Sequence, residues 1–64
     1  MSPTISYYDC HMEVIDVIYF SVDFNFQDQH DAEKLALEYW PENAMEAEIV
    51  CPDFIFNINT ESVV

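Results

Sequence analysis

The chain has 64 residues, of which 52% are hydrophobic and 22% are charged, so its length suits one small domain with a real core. Thirteen acidic residues stand against a single lysine, which gives a formal net charge of −12. Glycine is absent, which excludes a Gly-rich phosphate loop and the nucleotide-binding motifs that depend on one. We therefore expect a single domain over residues 1–64, with turns built on Asn and Asp or on longer loops.

Two strands are predicted in the first half of the chain. The first covers Thr4 to Asp9 and is followed by a turn over Asp9 to Met12. The next stretch, Glu13 to Phe26 (EVIDVIYFSVDFNF), alternates with period two and is rich in β-branched and aromatic residues. We predict that it forms the central strand of a sheet. Its core face would carry Ile18, Phe20, Val22, Phe24 and Phe26.

A helix is predicted from Gln29 to Trp40. Asp28 suits the N-cap position, and Asp31 follows three residues later, where an acid faces the free amides of the first turn. Pro41 ends the helix, because the residue before a proline avoids the α region. The apolar stripe of this helix consists of Ala32, Leu35, Ala36, Tyr39 and Trp40.

Two further strands complete the predicted fold. Ala47 to Cys51 and Asp53 to Asn59 both alternate, and Pro52 separates them because proline cannot donate to a ladder. Ile49 and Cys51 should share one face of the first of these strands, and Phe54, Phe56 and Ile58 one face of the second. The tail from Thr60 to Val64 is expected to be loosely ordered. The element order β-β-α-β-β predicts an α+β fold, with one mostly antiparallel sheet and a single helix packed on one face. The core between helix and sheet should contain Phe20, Phe24, Leu35, Tyr39 and Phe56.

The residues that could support catalysis or metal binding show no recognisable pattern. Cys10, His11, His30 and Cys51 lack the paired spacings of a structural zinc site. We expect two reduced thiols, with a disulfide or a zinc site as the alternatives. The run from Asp23 to Asp31 has some oxygens of a calcium loop but not its turn glycine. No nucleophile has an activating neighbour, so we expect neither enzyme activity nor a cofactor.

The charge of the chain is its main functional signal. A net charge of about 2–8 in magnitude is sufficient for the solubility of a small domain, so a net charge of −12 requires a further explanation. Adaptation to high salt is one interpretation, and an acidic binding surface is the other. Acids at helical spacing lie about 5–6 Å apart and resemble a line of phosphates. The candidate partner-binding residues are the densest group, Asp28, Asp31, Glu33, Glu38 and Glu42.

In its size, its acidity and its α/β layout, the chain resembles small phage anti-defence proteins, notably anti-CRISPR proteins and other DNA mimics. The resemblance covers the whole chain and includes no shared motif. It implies an inhibitor that blocks the DNA- or RNA-binding site of a host defence complex, such as a CRISPR surveillance complex. The implied partner is a basic nucleic-acid-binding protein or complex, with no direct binding to nucleic acid.

The N-terminal residues MSPTIS lack the basic start and apolar block of a signal peptide, and no apolar run reaches about 18 residues. We therefore expect no membrane association and a location in the cytoplasm, which would be that of the host cell. The alternative function is a small protein-interaction or assembly module that binds through a sheet edge or an aromatic surface. That surface would draw on Tyr7, Tyr8, Tyr19, Tyr39 and Trp40. The oligomeric state is left open.

Overall fold

The computed structural model describes residues 2–59, and the predicted tail from Thr60 to Val64 lies outside them. The described residues form one sheet in the strand order β2-β1-β3-β4, with every neighbouring pair antiparallel. One helix packs on one face of the sheet. This confirms the predicted α+β class and element order. The elements are β1 (Thr4–Tyr8), β2 (Val14–Tyr19), α1 (Gln29–Glu38), β3 (Glu46–Val50) and β4 (Ile55–Asn59).

The prediction that Glu13 to Phe26 forms the central strand is wrong. β2 ends at Tyr19 and lies at an edge of the sheet, while β1 and β3 occupy the interior. After β2 the amide of Phe20 donates to Pro3 O at 3.1 Å, and the chain then turns, with Phe24 N donating to Ser21 O at 3.0 Å. The alternation of the sequence therefore continues past the point where the strand ends.

Beyond β2 the phenylalanines form a cluster of their own. Phe20 stacks on Phe24 with ring centroids 4.6 Å apart, and Phe26 meets both rings edge-on at 5.3 and 5.2 Å. Phe26 is buried, and the other two rings are partly buried against the core. Val22, which was assigned to the same face, is 75% exposed because it lies in the turn. The predicted core face is thus right for the aromatic residues and wrong for Val22.

The two interior strands supply the centre of the core. Ile5 and Tyr7 of β1 lie opposite Ile49 and Ala47 of β3, and all four are completely buried beneath α1. The helix presents small residues to this surface, which allows its backbone to approach the sheet closely. The full set of buried hydrophobic residues is Ile5, Tyr7, Phe26, Ala32, Ala36, Ala44, Ala47, Ile49, Cys51 and Ile58.

The helix is shorter than predicted, and this changes the position of Tyr39. α1 ends at Glu38, and Tyr39 takes the C-cap position with φ −104° and ψ 20°. Tyr39 consequently leaves the apolar stripe and is 58% exposed, so its assignment to the core is wrong. Trp40 packs against the core instead, and its ring meets Tyr7 edge-on at 5.4 Å. Leu35 and Phe56 are partly buried against the core.

The last two strands are each slightly displaced from their predicted bounds. β3 begins one residue early, at Glu46, and β4 begins at Ile55 rather than Asp53. The amide of Cys51 donates to Phe54 O at 3.0 Å, so the connection around Pro52 is a tight turn. The predicted faces are nevertheless correct, because Ile49 and Ile58 point into the core.

Candidate functional site

Two of the candidate binding residues, Asp28 and Asp31, form the N-terminal cap of α1. Oδ1 of Asp28 accepts from the amide of Asp31 at 2.8 Å, and Oδ2 of Asp31 accepts from the amide of Gln27 at 3.2 Å. The prediction of Asp28 as N-cap is confirmed. Each carboxylate thus satisfies an amide at the start of the helix, where the helix dipole also favours negative charge. Both side chains have a structural task, whatever else they bind.

The other three candidates lie along and beyond the helix. Glu33 is half-buried, whereas Glu38 and Glu42 are exposed. Lys34 is also exposed, and it precedes Glu38 by four residues, the spacing at which helical side chains are neighbours. The only lysine of the chain therefore stands among the helix acids. These five residues do not form an uninterrupted acidic row.

The side of the sheet that faces away from α1 is covered by no other element of residues 2–59. We call this surface the open face, and it consists of three cross-strand rows that follow from the register of the ladders. Alternate residues of a strand point to opposite faces, so these residues share the side opposite the core. The rows are Tyr19–Thr4–Val50–Ile55, Val17–Ser6–Glu48–Asn57 and Val14–Tyr8–Glu46–Asn59.

Apart from Thr4, the open face is apolar along one row, and it is also apolar along its β2 edge. The row that contains Val50 crosses the whole sheet, and the valines of β2 extend the apolar area beside Tyr8. Tyr19 is 78% exposed, Ile55 is 64% exposed and Val14 is 55% exposed. Large hydrophobic side chains that are so accessible on one face of a sheet are typical of a surface that contacts another molecule.

Two glutamates lie on the same face, beside the apolar residues. Glu46 and Glu48 are alternate residues of β3, so their Cα atoms are about 6.8 Å apart. Both are half-buried, and Oε2 of Glu46 accepts from Nδ2 of Asn57 at 3.3 Å. Glu46 lies outside the predicted strand Ala47 to Cys51, and neither glutamate was among the candidate binding residues. The alternation Glu46-Ala47-Glu48-Ile49 is the signal that predicts two acids on the outer side of a strand.

Further acids lie at the two ends of the sheet. Asp9 belongs to the glycine-free turn between β1 and β2, where its Oδ1 accepts from the amides of His11 at 2.8 Å and Glu13 at 3.0 Å. These hydrogen bonds, that of Glu13 above all, lower the pKa of the Asp9 carboxyl below its ordinary value. At the opposite end, Oδ2 of Asp53 accepts from Nδ2 of Asn25 at 3.1 Å. Acids therefore lie at both ends of the sheet as well as on the helix and on the open face.

A buried tyrosine holds the helix on the sheet. The hydroxyl of Tyr7 donates to the carbonyl of Ala36 at 2.7 Å. Trp40 N would be the α-helical donor to that carbonyl, but it donates to Leu37 O instead. The Tyr7 hydroxyl therefore satisfies a carbonyl that the end of the helix leaves open. Burial, together with the negative charge of Asp16, raises the pKa of Tyr7 to about 12.

The two cysteines are not bonded to each other. Cys10 is exposed and Cys51 is buried, and both are free thiols, as expected. Residues 2–59 contain no group of three or more potential ligands arranged to hold a metal ion. The surface formed by the same residues contains no pocket.

No helix in the described part of the chain has the length and apolar character needed to cross a bilayer. Comparisons with protein-family models, with curated proteins and with solved structures find no match to this chain.

Proposed function

We propose that this protein is an inhibitor that uses acidic surface to occupy the DNA- or RNA-binding site of a basic host defence complex, as anti-CRISPR proteins and other DNA mimics do. The observation that carries the proposal is the charge: thirteen acids against one lysine, on a small fold whose described residues include no buried charged side chain. Every described carboxylate is thus at least partly accessible. Their mutual repulsion lowers the stability of the chain, so a binding role offers a reason for keeping them.

The spacing of the acids supports the same proposal. Glu46 and Glu48 are held about 6.8 Å apart on a strand, close to twice the rise of about 3.4 Å per phosphate along one DNA strand. A nucleic-acid site presents Lys and Arg to such a row. The long-range field of a −12 protein also accelerates its encounter with a basic cleft, by a factor that falls as salt is added.

The proposed setting is the cytoplasm of the host cell, where defence complexes meet foreign nucleic acid. The protein would bind the complex and not the nucleic acid, because both the protein and a phosphate backbone are negative. No cofactor and no covalent chemistry are needed for this function. Occupation of the site is sufficient.

The test is displacement of DNA from purified CRISPR surveillance complexes that carry their guide RNA. Labelled target duplex is bound to each complex of a panel of single-chain and multisubunit types, and the protein is titrated in. We expect at least one complex to lose its DNA, at a midpoint that moves to higher protein concentration as salt is raised. If no complex of the panel loses DNA even at low salt, the proposal for this class of target is wrong.

Charge-reversal variants identify the acids that contact the target complex. Glu38→Lys/Glu42→Lys changes two exposed helix-side acids and leaves the Asp28–Asp31 cap intact. Glu13→Lys/Asp23→Lys is the matched control, because it changes the net charge by the same amount at two other exposed positions. If the helix side makes the contact, the first variant should inhibit less than the second. Equal inhibition by the two variants would show that only total charge matters at these positions.

A second candidate function is a protein-interaction or assembly module. The exposed Tyr19, Ile55 and Val14 of the open face favour it, because a purely electrostatic decoy does not need them. Sedimentation of the isolated protein tests self-assembly directly. A monomer that stays monomeric at high concentration and high salt, where repulsion is screened, would argue against assembly of the chain with itself.

A further inference from the structure

We infer that the open face is the surface that contacts the partner, and that it takes a basic polypeptide segment in which apolar side chains accompany the lysines or arginines. The inference rests on the proposed function for the positive charge of the partner. It goes further by naming the surface and by adding an apolar requirement. It also differs from the sequence-based prediction, which placed the contact on the helix acids.

The apolar side chains of the open face are exposed and arranged in a row. Tyr19 and Ile55 lie at opposite ends of one row that crosses all four strands, with Val50 between them. The row is about 14 Å wide at about 4.8 Å per strand. Binding energy in interfaces is concentrated in such aromatic and aliphatic anchors, once a partner removes them from water. An acidic surface that acted by charge alone would gain nothing from this row.

Two glutamates give the open face its negative charge. Glu48 stands beside the apolar row, next to Val50 along its side of β3, and Glu46 follows one pleat further. Both are already half-buried, so their charges are less screened than those of fully exposed acids. The hydrogen bond from Asn57 restricts the side chain of Glu46. An extended segment with cations at alternate positions matches the spacing of this pair.

Charge complementarity decides which of the possible partners the open face can bind. A second copy of the chain would bring another charge of −12 to this face and would add two more glutamates against the first two. Nucleic acid would be repelled for the same reason. A neutral apolar segment would desolvate Glu46 and Glu48 without supplying a cation to either, which is costly. A basic segment that presents cations and apolar side chains on the same face satisfies both the apolar row and the glutamates.

The helix side is less suited to this role. Its Asp28 and Asp31 carboxylates already bond to backbone amides, and Lys34 stands among the remaining acids. The apolar stripe of α1 already packs against the sheet. The helix side therefore combines acids with a cation, whereas the open face combines acids with free apolar surface.

The experiment is an NMR titration of the isotope-labelled protein with two synthetic peptides of equal length and charge. In one peptide the alternate positions are Lys, Lys and Leu in repeat, with Ser between them, so that the cations and the apolar side chains share one face. In the other peptide Ser replaces each Leu. We expect the Lys/Leu peptide to bind at least about tenfold more tightly, since only its apolar side chains can cover the row. The amide signals that move should belong to the open-face residues of β1, β3 and β4. Equal affinity for the two peptides, or no binding of either, overturns the inference.

A matched pair of variants tests the glutamates. Glu46→Gln/Glu48→Gln should weaken the Lys/Leu peptide by about tenfold, as expected for two charge-assisted contacts that are partly shielded from water. Glu33→Gln/Glu38→Gln removes the same charge from the helix and should change the affinity less than about twofold. Equal losses, or amide shifts concentrated on α1, overturn the inference. A dimer in sedimentation that protects the open-face amides also overturns it.

The same variants in the DNA-displacement assay separate this inference from the proposed function. If Glu46→Gln/Glu48→Gln displaces DNA as well as the unchanged protein does, the open face is not the contact, although the proposed function stands. If the peptide binds the open face but no complex loses its DNA, the proposed function fails and the open face remains a docking surface for basic segments.

Discussion

Replacement of Tyr7 by Phe tests how the helix is held on the sheet. The substitution removes one hydroxyl and leaves the ring, with its edge-on contact to Trp40, in place. It also removes the 2.7 Å hydrogen bond to Ala36 O, a carbonyl that no helical amide takes up. A typical hydrogen bond contributes about 0.5–1.5 kcal/mol, and an unsatisfied buried group costs about 1–3 kcal/mol. We therefore expect a loss of about 1–3 kcal/mol in the free energy of unfolding.

This loss is large for a chain of 64 residues, whose total stability should be about 3–10 kcal/mol at about 0.05–0.15 kcal/mol per residue. The assay is urea unfolding followed by circular dichroism, with the slope of the transition checked for constancy. Tyr8→Phe is the control, because Tyr8 is on the same strand but on the open face. A Tyr7→Phe loss no greater than that of Tyr8→Phe would refute the reasoning.

Alkaline titration gives an independent measurement of the same group. The pKa of Tyr7 is raised to about 12, so its folded form holds the proton more firmly than the unfolded form, whose pKa is about 10. The corresponding stability is fully present below pH 10 and is lost as pH rises through 12. Ultraviolet absorption should show a step of tyrosine ionisation that coincides with unfolding and is absent in Tyr7→Phe. Ionisation of Tyr7 while the fold persists would contradict this.

Three further predictions concern charge and core. The melting temperature should rise from low to moderate sodium chloride, because screening relieves repulsion among the acids; a flat or falling value would contradict this. The stability contributed by the Asp9 carboxylate is lost as pH falls through its lowered pKa, so the difference in unfolding free energy between the unchanged protein and Asp9→Asn should shrink at low pH in urea unfolding; a difference that does not change with pH would contradict this. Phe20→Ala should cost about 3 kcal/mol, the lower end for aromatic truncation, because Phe20 is only partly buried; Val22→Ala, at an exposed position, should be close to neutral in the same urea assay.

The parts of the fold that were predicted correctly depend on local patterns. The faces of β1, β3 and β4 follow from alternation, and the start of α1 follows from the Asp28 cap, whose hydrogen bond is formed within four residues. Such features are determined by neighbours in sequence. They do not depend on what the rest of the chain does.

The errors concern features that depend on distant residues. Phe20, Phe24 and Phe26 have the spacing of a strand, but the rings gain more from packing on one another and on Phe54 than from extending the ladder. The turn after Ser21 has neither glycine nor proline, and Asp23 and Asn25, which favour a turn, also fit the outward positions of an alternating strand. The open face was missed because its rows are defined by the pairing of four strands, and pairing order is not readable from one sequence.

The strand order also divides the sheet into two local hairpins that meet along one seam. β1 and β2 are adjacent in sequence, as are β3 and β4, whereas the β1–β3 ladder joins residues from opposite ends of the described chain. Closing that ladder costs the loop-closure entropy of the long intervening chain, whereas each hairpin closes only a short loop. The seam is also where Tyr7 contacts the helix. A chain cut between the two hairpins should therefore come apart, or reassemble, along the β1–β3 boundary rather than within either hairpin.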